Sequence, residues 1–338
     1  MFAALTLLAT AAAHINPPNM TGNTTHDVAL FKRGTVNALV GTPGFGLYLG
    51  LDTKAELSWV TERYGLINSS SFEPLDGTFE GYYYGRSISG TRGREVIRFG
   101  QATYSNEMGF TDLAPSAVGG VDGALALGGS ATSFFGQASA SWPEKIIGVR
   151  IPTNNQNPGV LNLGYTNADQ YVGDLGWLPV IGGEGWRASF DGIRASGNRT
   201  ASHPGRNFAV WDSNEETSAA PYDVVTAIYG NNPRINKITV IWMMPCDVIE
   251  GTTVRMRLGG RQTLLSRAAL LRRDPTDPGQ CIANFAVSED DNVHLGRTFM
   301  RTWYTAFSET EDGRRIGLAR PIFLPGVTMN SISINEDF

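Results

Sequence analysis

Two aspartates, Asp52 and Asp212, each follow a short apolar run and lie 160 residues apart, one in each half of the chain. Paired carboxylates are used in general acid–base chemistry, provided that the fold brings them together. Each half also has a later apolar run that ends in a small residue, at 124–126 and at 294–296. This weak internal repeat predicts two similar halves, with one carboxylate at a strand end of each, that can meet at a pseudo-twofold axis.

Strands are the elements predicted to position these aspartates. Glycine is abundant, at 40 residues, and short β-branched and aromatic runs are separated by Gly, Asn, Asp or Pro, which favours an all-β protein with many tight turns. The clearest predicted strands are Val36–Val40, Phe45–Leu51, Leu57–Val60, Ile146–Ile151, Val160–Leu163, Phe208–Trp211, Lys237–Met243 and Thr252–Leu258. Helical patterns are few. Ala220–Tyr229 is the best, and a strand within Asn292–Phe299 is expected to lead into a short helix at Thr298–Trp303.

Composition excludes several classes of protein. The 338 residues predict about two domains, and 41% hydrophobic residues provide a large core. A formal charge of −5 and the lack of a basic block argue against nucleic-acid binding. The glycines at 44, 46 and 50 lack the spacing of a nucleotide loop, and two cysteines with four scattered histidines give no zinc spacing. We therefore expect no cofactor and no metal.

The N-terminal residues predict export. Phe2–Ala13 is an apolar run of 12 residues, too short to span a bilayer, and it ends in small residues as a signal peptide does. A buried N-terminal segment is the alternative. Two cysteines in an exported chain favour one disulfide, with two free buried thiols as the alternative. Glycosylation sequons occur at Asn19, Asn23, Asn68 and Asn198. No later stretch reaches membrane length, so we expect a secreted protein without a membrane anchor.

Several motifs in order resemble the pepsin-like aspartic proteases. LDTKAELSWV at 51–60 is similar to the first active-site segment, with Trp59 seven residues after Asp52, and AVWDSNEETSAAP at 209–221 is similar to the second. YYYGRSISGTRG at 82–93 resembles the flap hairpin, and Tyr84 falls at the flap tyrosine. The resemblance runs from about residue 35 to 322.

The resemblance implies a fold and a set of site residues. The fold is an all-β bilobal one, with two β-barrel-like lobes and a few short helices. The expected division is a signal peptide at 1–13, an N-terminal segment at 14–34, lobes at 35–180 and 181–322, and a tail at 323–338. The implied residues are the catalytic pair Asp52 and Asp212, supporting hydroxyls Thr53 and Ser213, cleft residues Trp59 and Tyr84, and a disulfide between Cys246 and Cys281.

The implied chemistry is peptide-bond hydrolysis by two aspartates that share one proton, because like charges about 3 Å apart cannot both ionise. One carboxyl acts as base on a water and the other as acid on the carbonyl. The implied partner is a polypeptide in the cleft between the lobes, bound by a monomer.

The motifs depart from the family pattern at the active-site loops. Lys54 and Asn214 replace the glycine after each Asp-Thr/Ser, and we expect the backbone N–H groups to lose their close approach to the carboxylates. Ala55 and Glu215 stand where a hydroxyl residue is usual. An inward-pointing Lys54 is expected to pair with Asp52 and lower its pKa. Arg297 stands where an acidic residue is usual.

Three functions remain open from the sequence. The first is a peptide-binding homologue with an impaired catalytic pair, the second a working acid endopeptidase, and the third an inhibitor or recognition protein that uses surface loops. Both aspartates could also be structural turn residues in a decayed site.

Overall fold

The computed structural model describes residues 26–31, 34–153, 159–183, 185–197, 199–202, 207–230, 234–236 and 241–322. Its strands are β1 (His26–Phe31), β2 (Thr35–Val40), β3 (Phe45–Asp52), β4 (Ser58–Thr61), β5 (Glu73–Tyr83), β6 (Arg86–Phe99), β7 (Ala102–Thr111), β8 (Gly123–Ala126), β9 (Ile146–Arg150), β10 (Gly159–Leu163), β11 (Tyr171–Pro179), β12 (Arg187–Ala195), β13 (Arg199–Ala201), β14 (Asn207–Trp211), β15 (Ser218–Ala220), β16 (Arg234–Asn236), β17 (Ile241–Pro245), β18 (Val254–Leu258), β19 (Arg261–Leu265), β20 (Leu271–Arg273), β21 (Gln280–Ala283), β22 (Phe285–Val287), β23 (Val293–Leu295), β24 (Tyr304–Thr310) and β25 (Gly313–Pro321). The α-helices are α1 (Phe134–Ala138), α2 (Tyr222–Tyr229), α3 (Arg267–Leu270) and α4 (Arg297–Met300), and short 3₁₀ turns lie between the strands.

The strands form three sheets. The first has 13 strands in the order β11-β25-β24-β9-β10-β1-β2-β3-β8-β4-β7-β6-β5, and an extra pairing of β2 with β6 closes part of it into a barrel. The second has eight strands, β19-β18-β12-β14-β23-β15-β22 with β13 beside β12, and the third is β16-β17-β21-β20. The prediction of an all-β protein with a few short helices is confirmed.

The internal repeat is visible in the strand pairing. In the first half, β3 runs parallel to β8, β8 runs antiparallel to β4, and β4 runs parallel to β7. In the second half, β14 runs parallel to β23, β23 antiparallel to β15, and β15 parallel to β22. Asp52 ends β3, and Asp212 directly follows β14. The two aspartates therefore occupy equivalent positions in two equivalent four-strand arrangements.

A core of buried aromatic residues connects the two halves. Trp186 is fully buried and packs against Phe135 of α1 and Phe307 of β24, with ring centroids 5.4 and 5.0 Å away. Its indole N–H also donates to the Leu127 carbonyl at 2.5 Å. Strands β24 and β25, near the end of the described chain, pair with β9 and β11 of the first sheet. Burial of this aromatic surface stabilises the halves against each other.

Most predicted strands are present with small shifts of their ends. Only 241–243 of the predicted strand Lys237–Met243 is described; it opens β17, and 237–240 lie outside the described residues. The predicted helix begins later, at Tyr222, because Ala220 belongs to β15 and Pro221 caps the helix. β23 followed by α4 matches the strand-to-helix prediction near residue 295.

The β5–β6 hairpin projects beside the site aspartates. Tyr83 pairs with Arg86, so the turn is the two residues Tyr84-Gly85. Both have positive φ, +52° and +74°, which matches the type I′ turn that suits the twist of a hairpin. Tyr84 is the one non-glycine residue with positive φ in the described part of the chain. Within that same part, no helix is long and apolar enough to cross a bilayer.

Candidate active site

Asp52 and Asp212 lie at one cavity of about 550 Å³. Both are nearly buried, with 2% and 3% of their surface exposed. Trp59, from β4, and Ala55 also line this cavity. The structure therefore brings together the two carboxylates that the sequence places 160 residues apart.

Thr53 and Ser213 tie the two aspartate loops together through a symmetric exchange of buried hydrogen bonds. Ser213 N donates to Thr53 Oγ1 at 3.0 Å, and Thr53 N donates to Ser213 Oγ at 2.9 Å. Each hydroxyl then donates onward across the pseudo-twofold axis, Thr53 to the Trp211 carbonyl at 2.6 Å and Ser213 to the Leu51 carbonyl at 2.8 Å. All four groups are thus satisfied away from water, which fixes the loops relative to each other.

Backbone donors reach both carboxylates, so the expectation that losing the glycines removes this support is wrong. Lys54 N and Ala55 N donate to Asp52 Oδ1 at 2.9 and 3.0 Å. Asn214 N donates to Asp212 Oδ1 at 3.3 Å. The loops therefore keep a turn geometry that a side chain at these positions does not prevent.

The Lys54 side chain crosses to the opposite aspartate. Its ammonium donates to Asp212 Oδ2 at 2.9 Å, so the expectation that it pairs with Asp52 is wrong. The Asp212 side chain is 4% exposed and that of Lys54 48% exposed, so only the carboxylate is largely removed from water. The ion pair occupies one of the two oxygens that Asp212 presents.

The titration of Asp52 is set mainly by its burial. Desolvation raises the pKa of the Asp52 carboxyl to about 6, against the two backbone hydrogen bonds that lower it. The charge of Asp212 adds to the rise, and the charge of Lys54 opposes it weakly. Lys54 thus lowers this pKa in the expected direction, but the net shift is upward, because Lys54 pairs with Asp212 and desolvation dominates.

Negative charge dominates around the Lys54 ammonium. Burial alone lowers the pKa of Lys54, but the Asp212 charge and hydrogen bond, followed by the charges of Asp52 and Glu215, raise it overall. Glu215 also lines the cavity, and partial desolvation followed by the Asp212 charge raises the pKa of its carboxyl. Neither Ala55 nor Glu215 offers a hydroxyl to the carboxylates, as the sequence predicts.

The hairpin tip contacts the second aspartate loop. Tyr84, predicted as the flap residue, is half exposed at the turn, and its backbone N–H donates to Asn214 Oδ1 at 3.2 Å. Tyr83 is the tyrosine that packs inward, edge-on to Trp59 with centroids 5.3 Å apart. Sequence reasoning did not single out Tyr83. Side chains in a strand alternate between its two faces, and Phe79, four residues before Tyr83 in β5, is buried. This alternation predicts that Tyr83 also points inward.

Two further residues at the site were not predicted. His294 of β23 lies with Nδ1 4.0 Å from Asp212 Oδ2 and Nε2 3.0 Å from Asp290 Oδ2. Arg297, noted only as a departure from the family, is buried. Its guanidinium donates to the carbonyls of Ser213 and Asn214 at 2.6 and 3.0 Å. Arg297 therefore fixes the second aspartate loop through its backbone carbonyls, and its guanidinium forms an ion pair with Glu216.

The remaining predicted sites divide between described and undescribed residues. Cys246 and Cys281 form a disulfide between the end of β17 and β21, with Cα atoms 4.9 Å apart. Asn68 is exposed at the end of a short 3₁₀ turn, which leaves its side chain accessible. Asn19, Asn23 and Asn198 lie outside the described residues, as do the predicted signal peptide at 1–13 and the tail at 323–338.

Comparison with known proteins gives the class to which this fold and carboxylate pair belong. The model of the eukaryotic aspartyl protease family matches residues 40–321. The chain belongs to that family and has its all-β, bilobal pepsin-like fold. Members of the family bind polypeptide substrates in a cleft.

Individual relatives are distant but match along most of their length. Pregnancy-associated glycoprotein 6 of Ovis aries is 23% identical over 85% of this chain and 81% of its own length. Pepsin A of Sus scrofa is 23% identical over 85% of this chain and 80% of its own length. Pregnancy-associated glycoprotein of Equus caballus is 24% identical over 84% and 80%.

Proposed function

We propose that this chain is a peptide-binding member of the aspartyl protease family whose catalytic pair is impaired, so that it acts by binding and cleaves weakly or not at all. The observation that carries this proposal is the Lys54 ammonium bonded to Asp212 Oδ2 at 2.9 Å. Hydrolysis by two carboxyls needs one protonated acid and one carboxylate free to take a proton from water. Lys54 bonds to the group that would be that base.

Acid pH does not remove this obstacle. Below about pH 6 the Asp52 carboxyl is protonated, which supplies the acid of the pair. The raised pKa of Lys54 keeps its ammonium charged throughout the acid range. At acid pH, Asp52 therefore carries the proton that the pair needs, but the carboxylate of Asp212 stays bonded to Lys54 and is not free to act as the base. The missing hydroxyls at Ala55 and Glu215 reduce support further, and such losses do not simply add.

A working acid endopeptidase is the second candidate, favoured by a separate observation. Both aspartates keep their backbone donors, and Thr53 and Ser213 keep the exchange that orders the loops. About half of the Lys54 side chain is exposed, so its removal from Asp212 requires no opening of the core. If substrate displaced Lys54, the remaining geometry would fit hydrolysis.

The test separates binding from cleavage. A denatured protein substrate is incubated with the protein across pH 2–7, and binding of a statine-type peptide analogue is measured in parallel by calorimetry. We expect the analogue to bind and cleavage to be absent or far below that of pepsin A run alongside. Cleavage at a rate like that of pepsin A, lost in Asp52→Asn, would establish the second candidate. Absence of both binding and cleavage would contradict both candidates.

We also propose export, glycosylation and a monomeric state, with lobes at 35–180 and 181–322. The apolar run at 2–13 and the Cys246–Cys281 disulfide support export, since disulfides persist in oxidising compartments. The exposed position of Asn68 supports glycan attachment. Expression in a eukaryotic secretory host tests this: we expect protein in the medium whose mass falls on glycosidase treatment, by less in Asn68→Gln.

A further inference from the structure

The charges around the cavity do not cancel. Two ion pairs lie in its wall, Lys54 with Asp212 and Arg92 with Glu107, and each pair is neutral. Asp52 and Glu56 also line the cavity, as do two glutamates on separate elements, Glu80 from β5 of the hairpin and Glu215 from the second aspartate loop. Among the residues the structure describes, neither side chain forms an ion pair or hydrogen bond with another side chain. The cavity wall therefore carries excess negative charge, contributed both by the hairpin and by the second aspartate loop.

The rest of the wall is apolar. Leu57, Trp59, Phe79 and Ile88 line the same cavity, and Trp59, Phe79 and Ile88 belong to one buried cluster on which Leu57 packs. A side chain that combines an aliphatic stem with a cationic end fits such a wall, since the stem covers apolar surface while the charge meets the carboxylates. Arginine has this form, with a guanidinium that bonds carboxylates through several donors.

The titration shifts agree with this charge distribution. The pKa of Lys54 is raised although burial opposes the rise, and the pKa of Glu215 is raised by burial and by Asp212 despite nearby cations. The Lys54 shift requires a negative potential inside the cavity, since it runs against burial, whereas the Glu215 shift comes first from burial and then from the Asp212 charge. A ligand with one more cation would offset it, whereas an acidic ligand would add to the repulsion.

We propose that this cavity selects peptides with a basic side chain, arginine above all, that lies between Glu80 and Glu215. The inference rests on the proposed function, because it names the class of peptide that the cleft binds. Glu80 and Glu215 act on charge at the end of that side chain, and the apolar wall acts on its stem.

The experiment uses three end-capped octapeptides that are otherwise neutral and identical, with arginine, citrulline or glutamate at the fifth position. Citrulline is the neutral isostere of arginine, so the first pair of peptides isolates charge. Binding to the full-length protein is measured by fluorescence anisotropy at pH 7. We expect the arginine peptide to bind about tenfold more tightly than the citrulline peptide, because one charge-assisted hydrogen bond changes affinity by about that factor. The glutamate peptide should bind more weakly than either.

Variants assign the effect to these two residues. In Glu80→Gln with Glu215→Gln, the arginine and citrulline peptides should bind with nearly equal affinity, because the arginine peptide loses its advantage. Glu289→Gln with Glu311→Gln removes the same charge at exposed positions outside the cavity and should keep the advantage. Equal loss in both double variants, or equal binding of arginine and citrulline peptides, would overturn the proposal while leaving cleft binding intact. Failure of all three peptides to bind would overturn the proposed function as well.

Discussion

Lys54 and Asn214 stand at equivalent positions of the two aspartate loops, and each side chain bonds to another element across the cavity. Lys54 bonds to Asp212, and Asn214 accepts from the backbone of Tyr84. The backbone N–H groups of both residues still contact the aspartate of their own loop. At the residue scale, replacement of the two glycines has therefore added contacts across the site without removing those of the loops.

The first prediction concerns the Lys54 ion pair. Lys54→Met keeps the length of the side chain and removes its charge, so Asp212 becomes free to act as a base. We expect the initial rate of cleavage at pH 3–5 to rise by roughly ten- to hundredfold from its residual level, because single preorganised contacts at a site change rates by about 10²–10³ and the missing hydroxyls still limit it.

Its control is Lys145→Met, which removes the same charge at an exposed ion pair with Glu309. That variant should cleave as the unaltered protein does. Adding Asp52→Asn to Lys54→Met should abolish the gain. An unchanged rate in Lys54→Met would show that the ion pair does not limit hydrolysis.

The second prediction concerns the pH dependence of stability through Asp52. Its folded-state pKa of about 6 lies above the ordinary value of 3.8, so the folded protein binds the proton more tightly than the unfolded chain does. The resulting stabilisation is fully present below pH 4 and is lost as the pH rises through 6. Asp52→Asn has no such proton, and its free energy of unfolding relative to the unaltered protein should rise by about 2 kcal/mol between pH 4, where the unfolded carboxyl is already partly ionised, and pH 7.

Urea unfolding at both pH values measures this difference. Asp174→Asn changes an exposed aspartate and should show no comparable difference between the two pH values. A constant offset between Asp52→Asn and the unaltered protein at pH 4 and 7 would mean that Asp52 titrates normally.

At the scale of elements, the tip of the β5–β6 hairpin contacts side chains of the second half of the chain. Asn214 Oδ1 accepts from Tyr84 N, and the Arg297 guanidinium lies 6.0 Å from the centre of the Tyr84 ring. Tyr84 adopts a positive φ that non-glycine residues seldom have, which the two-residue turn requires. The hairpin is thereby connected to the second aspartate loop.

The third prediction follows from this connection. Asn214→Gly removes the acceptor, and we expect hydrogen exchange at the Tyr84 amide to accelerate by about fivefold, equivalent to one hydrogen bond of ~1 kcal/mol. Amides in the middle of the β6–β7 pairing, such as that of Ile97 opposite Tyr104, provide the internal control and should be unaffected. Equal exchange at Tyr84 in both proteins would mean that Asn214 does not restrain the hairpin.

Sequence patterns predicted the elements better than the contacts between side chains. β3 and β14 are predicted because their runs are rich in β-forming residues and bounded by turn residues, and the positions of Asp52 and Asp212 follow from those strand ends. β5 was less clear, because it has exposed polar and glycine residues on much of its length. The partner of Lys54 was predicted wrongly, since nearness in sequence favours Asp52, whereas backbone donors already occupy Asp52 Oδ1 and the repeat brings Asp212 opposite.

At the scale of the whole molecule, several buried contacts join the two halves. The Thr53–Ser213 exchange joins the aspartate loops, Trp186 packs between the halves, and β24 and β25 complete the first sheet. Each of these contacts is buried and long-range in sequence. The halves should therefore unfold together rather than separately.

The last prediction tests this coupling at the loops. Ser213→Ala removes an acceptor of the buried Thr53 N–H and the donor to the Leu51 carbonyl. Leaving such groups unsatisfied should lower the free energy of unfolding by about 1–3 kcal/mol. Thr53→Val should cost a similar amount for the same reason. The double variant should destabilise the protein by less than the two single changes added together, because each change removes a partner of the other. We expect a coupling of about 0.5–3 kcal/mol in a double-mutant cycle.

Urea unfolding followed by tryptophan fluorescence and by far-ultraviolet circular dichroism measures both the losses of stability and their coupling. We expect the two signals to coincide in every variant; strictly additive losses, or separate transitions in the unaltered protein, would show that the exchange does not couple the halves.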